Sequence, residues 1–154
     1  SIHERGLYPG TGDVDETGTG AGEGTTCNVP LASGAGDADY LLAWETIGSI
    51  VDRFDPDLLV VSAGFDAHRH DPISRMRVST EGYALLTEAV RETAAAADAG
   101  LAFVLEGGYG LDTLSESIAT VHETFDGRAP VDDGDDPTDA TRDLLDEVRA
   151  AHDL

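Results

Sequence analysis

The sequence predicts an α/β fold with a parallel, doubly wound sheet. Segments with strand-like and helix-like apolar patterns alternate along the chain, which is typical of βαβ units. The two longest strand candidates are short, continuous apolar runs, as expected for strands that are covered on both faces. Each run leads into a loop that contains glycine and polar residues. Because ligands in open α/β sheets bind beyond the carboxyl ends of the strands, the functional site is expected in these two loops.

The first segment, residues 6–26, predicts a loop because it is rich in glycine, threonine and acidic residues. A flexible linker would have the same composition. Leu7, Tyr8 and Pro9 favour an ordered loop instead, and long ordered loops in compact domains are usually functional. A short strand is expected next, over residues 27–31.

One helix and one strand are predicted in the following part. Residues 37–54 place their apolar side chains on one helix face, and Asp37 or Asp39 can cap the first turn. The apolar residues of that face are Leu41, Leu42, Trp44, Ile47, Ile50, Val51 and Phe54. Residues 56–64 predict a strand with a continuous apolar run at 58–61.

The second half of the chain repeats this alternation. The predicted elements are a helix over 79–100, a strand over 101–109 and a helix over 111–127. Ser79 or Thr80 is expected to cap the first of these helices. The expected division of the chain is a main domain over 1–128, an acidic linker over 129–139 and a charged C-terminal helix over 140–154.

The charge of the chain is far from balanced. Among 154 residues, 31 are acidic and 9 are basic, for a net charge of -22, and every basic residue is arginine. Direct nucleic-acid binding is therefore not expected, because a phosphate backbone would be repelled. The complete lack of lysine favours a halophilic surface over a merely acidic protein with an acidic tail.

A halophilic surface predicts that molar salt stabilises the fold. Screening at 1 M salt shortens the Debye length to about 3 Å, which weakens the mutual repulsion of the acidic groups in the compact state. We expect the midpoint of thermal unfolding to rise between low and molar KCl. A midpoint that stays constant over that range would contradict the halophilic interpretation.

The single cysteine, Cys27, excludes an internal disulfide framework and a zinc site built from several cysteines. No apolar run approaches the ~20 residues of a membrane-spanning helix, and no secretory signal is recognisable. The expectation is a cytoplasmic protein that does not interact with membranes.

The stretch VVSAGFDAHRHDP, residues 60–72, groups several side chains that bind metals or protons. Asp66 follows the end of a predicted strand, where its carboxylate could reach a bound ion, although most loop aspartates are solvated or cap a turn. His68 and His70 could chelate a metal, but exposed histidines in this context are as often solvated. Asp71 precedes a proline, which is typical of a turn.

The second loop carries Tyr109 directly after Gly107 and Gly108. The glycines permit a tight backbone and close approach of a ligand. A tyrosine at such a turn could direct its hydroxyl into a pocket and stabilise a developing oxyanion, or it could simply close the loop. Glu106 is expected to be either a buried, hydrogen-bonded carboxylate or a group at the edge of the strand.

Three stretches together resemble the zinc-dependent histone deacetylase family, a superfamily that includes acetoin-utilisation proteins and acetylpolyamine amidohydrolases. The stretches are SIHERGLYPGTGDVDETGTGAGEGTTCNVPL, FDPDLLVVSAGFDAHRHDP and LEGGYGLDTL. They occur in the family's order, and the resemblance covers residues 1 to about 125. It implies the C-terminal half of an arginase/deacetylase-like fold.

The resemblance also implies roles for individual residues. Asp66 matches a zinc ligand, Tyr109 the catalytic tyrosine that polarises the acyl carbonyl, and Gly107 and Gly108 the wall beside it. The remaining matches are Tyr8 and Ile73 in the substrate channel, Ser1 and Ile2 at a potassium site, and Thr25 near a second cation site. His3 matches a recurrent family histidine without an assigned role, whereas His68 and His70 match no ligand, which favours the solvated alternative.

The implied activity is removal of acetyl groups from an acetylated small molecule, such as an acetylpolyamine, or from an acetyl-lysine protein. The family holds zinc with two further ligands in an Asp-x-His pair and uses a His-His pair as base and acid, all upstream of the segment that matches Ser1. The sequence contains no Asp-x-His before Asp66 and no His-His. The expectation is an incomplete catalytic domain that needs the missing half for activity.

Two alternatives to a deacetylase follow from the sequence. The first is a non-catalytic remnant or binding module of the same fold, although Asp66, the two glycines and Tyr109 are all in place. The second is half of a nucleotide-binding Rossmann domain. It is disfavoured because the glycine-rich stretch at 18–24 precedes a strand rather than joining a strand to a helix.

Overall fold

The computed structural model describes the whole chain, Ser1–Leu154. The strands are β1 (Ile2–Glu4), β2 (Val29–Leu31), β3 (Leu58–Ala63) and β4 (Gly100–Leu105). The helices are α1 (Asp37–Phe54), α2 (Thr80–Ala96), α3 (Leu111–Phe125) and α4 (Asp139–Ala151), and a 3-10 turn spans Gly20–Gly22. Strands and helices alternate from β2 to α3, which confirms the α/β prediction.

The four strands form two separate parallel pairs. In one pair, β1 lies beside β2 with Ile2 opposite Val29. In the other, β3 lies beside β4 over its full length, from Leu58 opposite Gly100 onward. Strand β1 was not predicted, because three residues are too few to show a periodic pattern. One edge of β1 and one edge of β3 therefore have no hydrogen-bonded neighbour.

The pair formed by β3 and β4 is covered on one face only. Exposure alternates along β3 and along β4 as far as Val104, and Leu58 and Val60 are 56% and 52% exposed. The prediction that these strands are covered on both faces is therefore wrong for this chain. The continuous apolar composition suits a sheet between two layers, but the helices described here cover only one side.

The hydrophobic core surrounds β2. Val29 and Leu31 are fully buried beside α4, which contributes Leu144, Leu145 and Val148 to the same cluster. Burying each of these aliphatic side chains stabilises the fold by about 1.5–3 kcal/mol. From its composition, α4 was predicted to be a charged C-terminal helix. In the structure, the apolar side chains of α4 pack in the core.

The helix caps follow the predictions in part. The Ser79 hydroxyl caps α2 by accepting a hydrogen bond from the Gly82 N–H at 2.9 Å. At the start of α1, Asp39 accepts from the Gly36 N–H at 2.9 Å, so this carboxylate satisfies the backbone donor of the residue that precedes the helix. Asp37 instead accepts the Ser79 N–H at 2.7 Å, and this bond joins the beginnings of α1 and α2.

Asp39 also joins α1 to α4. Its Oδ1 accepts hydrogen bonds from the Thr138 N–H at 2.8 Å and the Thr138 hydroxyl at 2.9 Å, immediately before α4 begins. Burial alone would raise the pKa of Asp39, but the hydrogen bonds from Gly36, Thr138 and Thr141 outweigh it and lower the pKa below its usual value. The charged carboxylate therefore stabilises the folded state.

We expect Asp39→Asn to lower the free energy of unfolding by roughly 1–3 kcal/mol at neutral pH, because a buried charged acceptor is replaced by a neutral amide. Because folding lowers the pKa of Asp39, its contribution is complete above the unfolded-state pKa and is lost as pH falls through the folded-state pKa. The difference between wild type and variant should therefore shrink in acid. Denaturant unfolding at several pH values measures this difference in free energy. Asp52→Asn, at an exposed position, is a charge-matched control. Equal effects of the two variants would contradict the stabilising role of Asp39.

Candidate functional site

The loops that follow β3 and β4 lie side by side at the carboxyl ends of the strands. The hydrogen-bond pattern continues past the strands, from the Glu106 N–H to the Ala63 carbonyl at 3.1 Å and from the Phe65 N–H to the Gly107 carbonyl at 2.9 Å. Because these hydrogen bonds hold the two loops together, the residues that follow β3 and β4 lie close to one another.

A cleft of about 690 Å³ opens between the two strand pairs. Residues 1–4, which include β1, line one side, and residues 59–63 of β3 line the other. The unpaired edges of β1 and β3 thus belong to the same cavity. Asp66 and Tyr109 also line this cleft, as expected for loops at the carboxyl ends of neighbouring parallel strands.

The Asp66 carboxylate lies directly against two glycines. A Cβ atom placed on Gly107 would stand 3.1 Å from Asp66 Cγ, and one on Gly64 would stand 3.1 Å from Asp66 Oδ1. A side chain at either position would require the carboxylate to shift by a few tenths of an ångström. Burial raises the pKa of Asp66 and the charge of Asp71 raises it further, while only backbone N–H groups act in the opposite direction. A cation in the cleft would offset both unfavourable effects.

The Tyr109 side chain projects into solvent at the cleft and is 57% exposed. Its backbone is held, because the Tyr109 N–H donates to Asp71 Oδ2 at 2.8 Å. The preceding Gly108 has φ +121°, a conformation that strongly favours glycine, and a Cβ there would stand 2.8 Å from Leu114 Cδ1. Glu106 is exposed and is therefore a group at the strand edge, the second of its two predicted alternatives.

The structure places the two predicted channel residues differently. Tyr8 lines the cleft with almost its whole side chain exposed. Ile73 is half-exposed on the loop after Asp66 but does not line the cavity. Of the two wall glycines, Gly107 lines the cleft, whereas Gly108 faces Leu114.

The residues predicted for cation sites are engaged in local bonds. Ser1 lines the cleft together with Ile2, but its carbonyl accepts the Val29 N–H at 2.8 Å and its hydroxyl lies 3.0 Å from His3 Nδ1. Thr25 is exposed outside the cleft, where its hydroxyl donates to the Gly22 carbonyl at 2.7 Å. Their roles in binding potassium or a second cation stay predictions.

His68 is not solvated, contrary to the prediction. It is 2% exposed, with its ring stacked on Tyr83. His68 Nδ1 accepts the His70 N–H at 3.2 Å, so Nε2 carries the proton and donates to the Thr80 hydroxyl at 3.1 Å. Burial lowers the pKa of His68, which agrees with a neutral ring that braces the loop. The side chain of His70 is exposed, as predicted.

Two supports of the Asp66 loop were not foreseen. The buried Glu4 carboxylate of β1 pairs with the Arg75 guanidinium at 2.6 Å and also accepts the Arg75 N–H at 2.9 Å. The neighbouring Ser74 hydroxyl donates to the Asp66 carbonyl. No local pattern could have revealed the first contact, because Glu4 and Arg75 are 71 residues apart.

Comparison with known proteins identifies the family. The histone deacetylase domain matches residues 1–125, most of the chain. The chain belongs to the histone deacetylase family. Histone deacetylase 10, chloroplastic, of Oryza sativa is 40% identical over 164 residues that cover 100% of this chain and 37% of the rice protein. A probable deacetylase of Archaeoglobus fulgidus is 43% identical over 114 residues, which cover 73% of this chain and 32% of the archaeal protein.

Solved structures of histone deacetylases agree with this assignment. The HDA15 HD domain matches with a TM-score of 0.86 and 33% identity, over 98% of this chain and 43% of the solved one. The histone deacetylase Clr3 matches with a TM-score of 0.89 and 31% identity, over 98% of this chain and 26% of the solved one. These values confirm the deacetylase-like fold, and the chain spans less than half the length of each of these relatives.

Proposed function

We propose that this chain carries part of the catalytic site of a zinc-dependent deacetylase, which removes acetyl groups from acetyl-lysine or acetylpolyamine-type substrates. The observation that carries the proposal is the arrangement of Asp66 and Tyr109, on adjacent loops that line one cleft. Family membership supplies the reaction class, since the matching domain is that of histone deacetylases.

Asp66 fits one position of a zinc site. Its carboxylate is partly buried beside two glycines, its pKa is raised, and no other chain group supplies a cation to it. The chain contains no cluster of three or more histidine, cysteine, aspartate or glutamate side chains able to hold a metal ion. A catalytic zinc site needs three protein ligands, so the proposal requires two ligands from outside these 154 residues.

The unpaired strand edges suggest where those ligands enter. Both β1 and β3 present a free edge to the cleft, and one further parallel strand between them would join all four strands in one sheet. We propose that this strand comes from the part of the relatives that the chain does not span. Such a strand would end beside Asp66, where the remaining ligands and a general base are needed.

Tyr109 is the residue that we assign to the acyl oxygen. Its exposed hydroxyl can donate a hydrogen bond to the substrate carbonyl, and that bond strengthens as negative charge develops on the oxygen. Tyr8 would contact the aliphatic part of the substrate, with Ile73 at the rim. A zinc ion, when bound, supplies Lewis acidity and makes water a nucleophile at neutral pH.

The test is deacetylation of an acetyl-lysine peptide and of an acetylpolyamine, with zinc content measured in parallel, by the chain alone and by a longer protein that includes the upstream half. We expect no detectable turnover and weak zinc binding by the chain alone. Lack of a positioned base alone costs roughly 10²–10⁴-fold in rate. The longer protein should be active and chelator-sensitive.

Two outcomes would overturn this proposal in different ways. Robust, chelator-sensitive turnover by the chain alone would mean that its own residues hold the metal. A longer protein that binds acetyl-lysine peptide but never turns it over would favour the alternative, a non-catalytic binding module of the same fold.

The remaining predictions concern cellular location, adaptation to salt and nucleic-acid binding. No helix has both the length and the apolar composition to cross a membrane. A cytoplasmic location, a halophilic surface and the lack of direct nucleic-acid binding stay predictions. The last two are supported by the net charge of -22 and the use of arginine alone as a basic residue.

A further inference from the structure

We propose that Asp71 is a positioning residue that sets the orientation of Tyr109 relative to Asp66. The inference rests on the proposed deacetylase site and adds a residue to it. Asp71 does not line the cleft, and it acts through the backbone of the Tyr109 loop.

The Asp71 carboxylate bridges the two loops that form the site. It is 8% exposed, and each of its oxygens accepts one backbone hydrogen bond. Oδ1 accepts the Ile73 N–H at 2.9 Å within its own loop, which is the turn predicted before Pro72. Oδ2 accepts the Tyr109 N–H at 2.8 Å, 38 residues away in the chain. The bond to the Ile73 N–H is sufficient for the turn. The bond to the Tyr109 N–H instead joins the turn to the neighbouring loop.

The segment that carries Asp71 is held in place by hydrogen bonds. Its N–H donates to the His68 carbonyl at 2.8 Å, and the buried His68 ring is bonded to Thr80 at the start of α2. The two loops also touch nearby, since a Cβ on Gly110 would stand 3.6 Å from the His70 carbonyl oxygen. The bridge therefore connects Tyr109 to a fixed part of the fold rather than to a free loop.

The Tyr109 loop needs such a connection because of its glycines. The backbone is anchored at Gly107, whose carbonyl accepts the Phe65 N–H, but Gly108 can rotate through conformations closed to other residues. Asp71 supplies a second anchor two residues later. Together, the two anchors fix the direction in which the Tyr109 side chain leaves the backbone, and catalysis depends on such placement within fractions of an ångström.

The first test uses the chain itself and needs no activity. Amide hydrogen exchange is followed by NMR in wild type, Asp71→Asn and Asp71→Ala, with exposed His70→Ala as a neighbouring control. We expect exchange at the Tyr109 amide to accelerate by roughly 10-fold or more in both Asp71 variants, because a hydrogen bond to a charged acceptor is weakened or removed. Core amides such as that of Val148 should keep their wild-type rates.

An unchanged Tyr109 amide in folded Asp71 variants would overturn the proposal. Acceleration at all amides together would do so as well, because it would show general destabilisation. The conservative Asp71→Asn variant keeps the size of the side chain and guards against the chance that Asp71→Ala does not fold.

The second test is a double-mutant cycle in the longer, active protein. Asp71→Asn should lower kcat by at least about tenfold, with KM and zinc content close to wild type. In a Tyr109→Phe background, where the hydroxyl is already absent, the same change should cost little, because coupled residues are not additive. Full additivity would overturn the positioning role. A longer protein without any turnover would instead contradict the proposed function, while the exchange experiment would still decide the role of Asp71.

Discussion

Asp66→Ala in the longer protein should abolish measurable deacetylation and most zinc binding. On the proposed assignment, the variant removes one of three protein ligands, and each ligand of such a site contributes directly to metal affinity. Zinc content by metal analysis and turnover of an acetyl-lysine peptide should therefore fall together. Because Asp66 is only partly buried and its pKa is raised, the folded chain should not lose stability on this change.

Asp57→Ala is the matched control for Asp66→Ala. Asp57 is an exposed aspartate that immediately precedes β3, at the end of the strand opposite Asp66, so its loss removes the same charge without touching Asp66 or Tyr109. It should leave both zinc content and turnover near wild type. Full zinc occupancy and normal turnover in Asp66→Ala would remove this residue from the proposed metal site.

Tyr109→Phe should separate metal binding from catalysis. The change deletes one hydroxyl at the cleft and leaves the ring, the backbone bond to Asp71 and the proposed zinc ligand intact. We expect kcat to fall by roughly 10²–10³-fold, as on loss of an oxyanion donor, with zinc content unchanged and KM little altered. Steady-state kinetics and metal analysis on one preparation measure all three quantities.

Tyr8→Phe provides the comparison, since it removes the hydroxyl of another highly exposed tyrosine of the cleft and keeps its aromatic ring. Its effect on kcat should be much smaller than that of Tyr109→Phe. Similar losses in the two variants would mean that neither hydroxyl has a specific role at the acyl oxygen.

The sequence was sufficient for the parts of the fold that repeat locally. The helix predicted over 37–54 is α1 with those bounds, and the two long apolar runs are β3 and β4. The meeting of Asp66 and Tyr109 at one cleft could also be predicted, because parallel strands bring the loops after their carboxyl ends together.

Other features depend on contacts that no local pattern encodes. His68 looked solvated because its neighbours in sequence are polar, yet it is buried against Tyr83. The bonds from Glu4 to Arg75 and from Asp71 to Tyr109 join segments far apart in the chain. They become visible only when the loops are placed in three dimensions, and they are the groups that hold the site in shape.

The packing of α4 against β2 bears on where the folding unit ends. The family match stops at residue 125, and a protein trimmed there would lose the side chains that cover Val29 and Leu31. It would also leave Asp39 without its partner at Thr138, a buried carboxylate facing the space that the helix had filled. Helix α4 is therefore part of the core although it lies beyond the family match. A tag or fusion partner should therefore not replace α4 or His152, which is itself buried and whose carbonyl accepts a hydrogen bond from Arg53 at 2.9 Å.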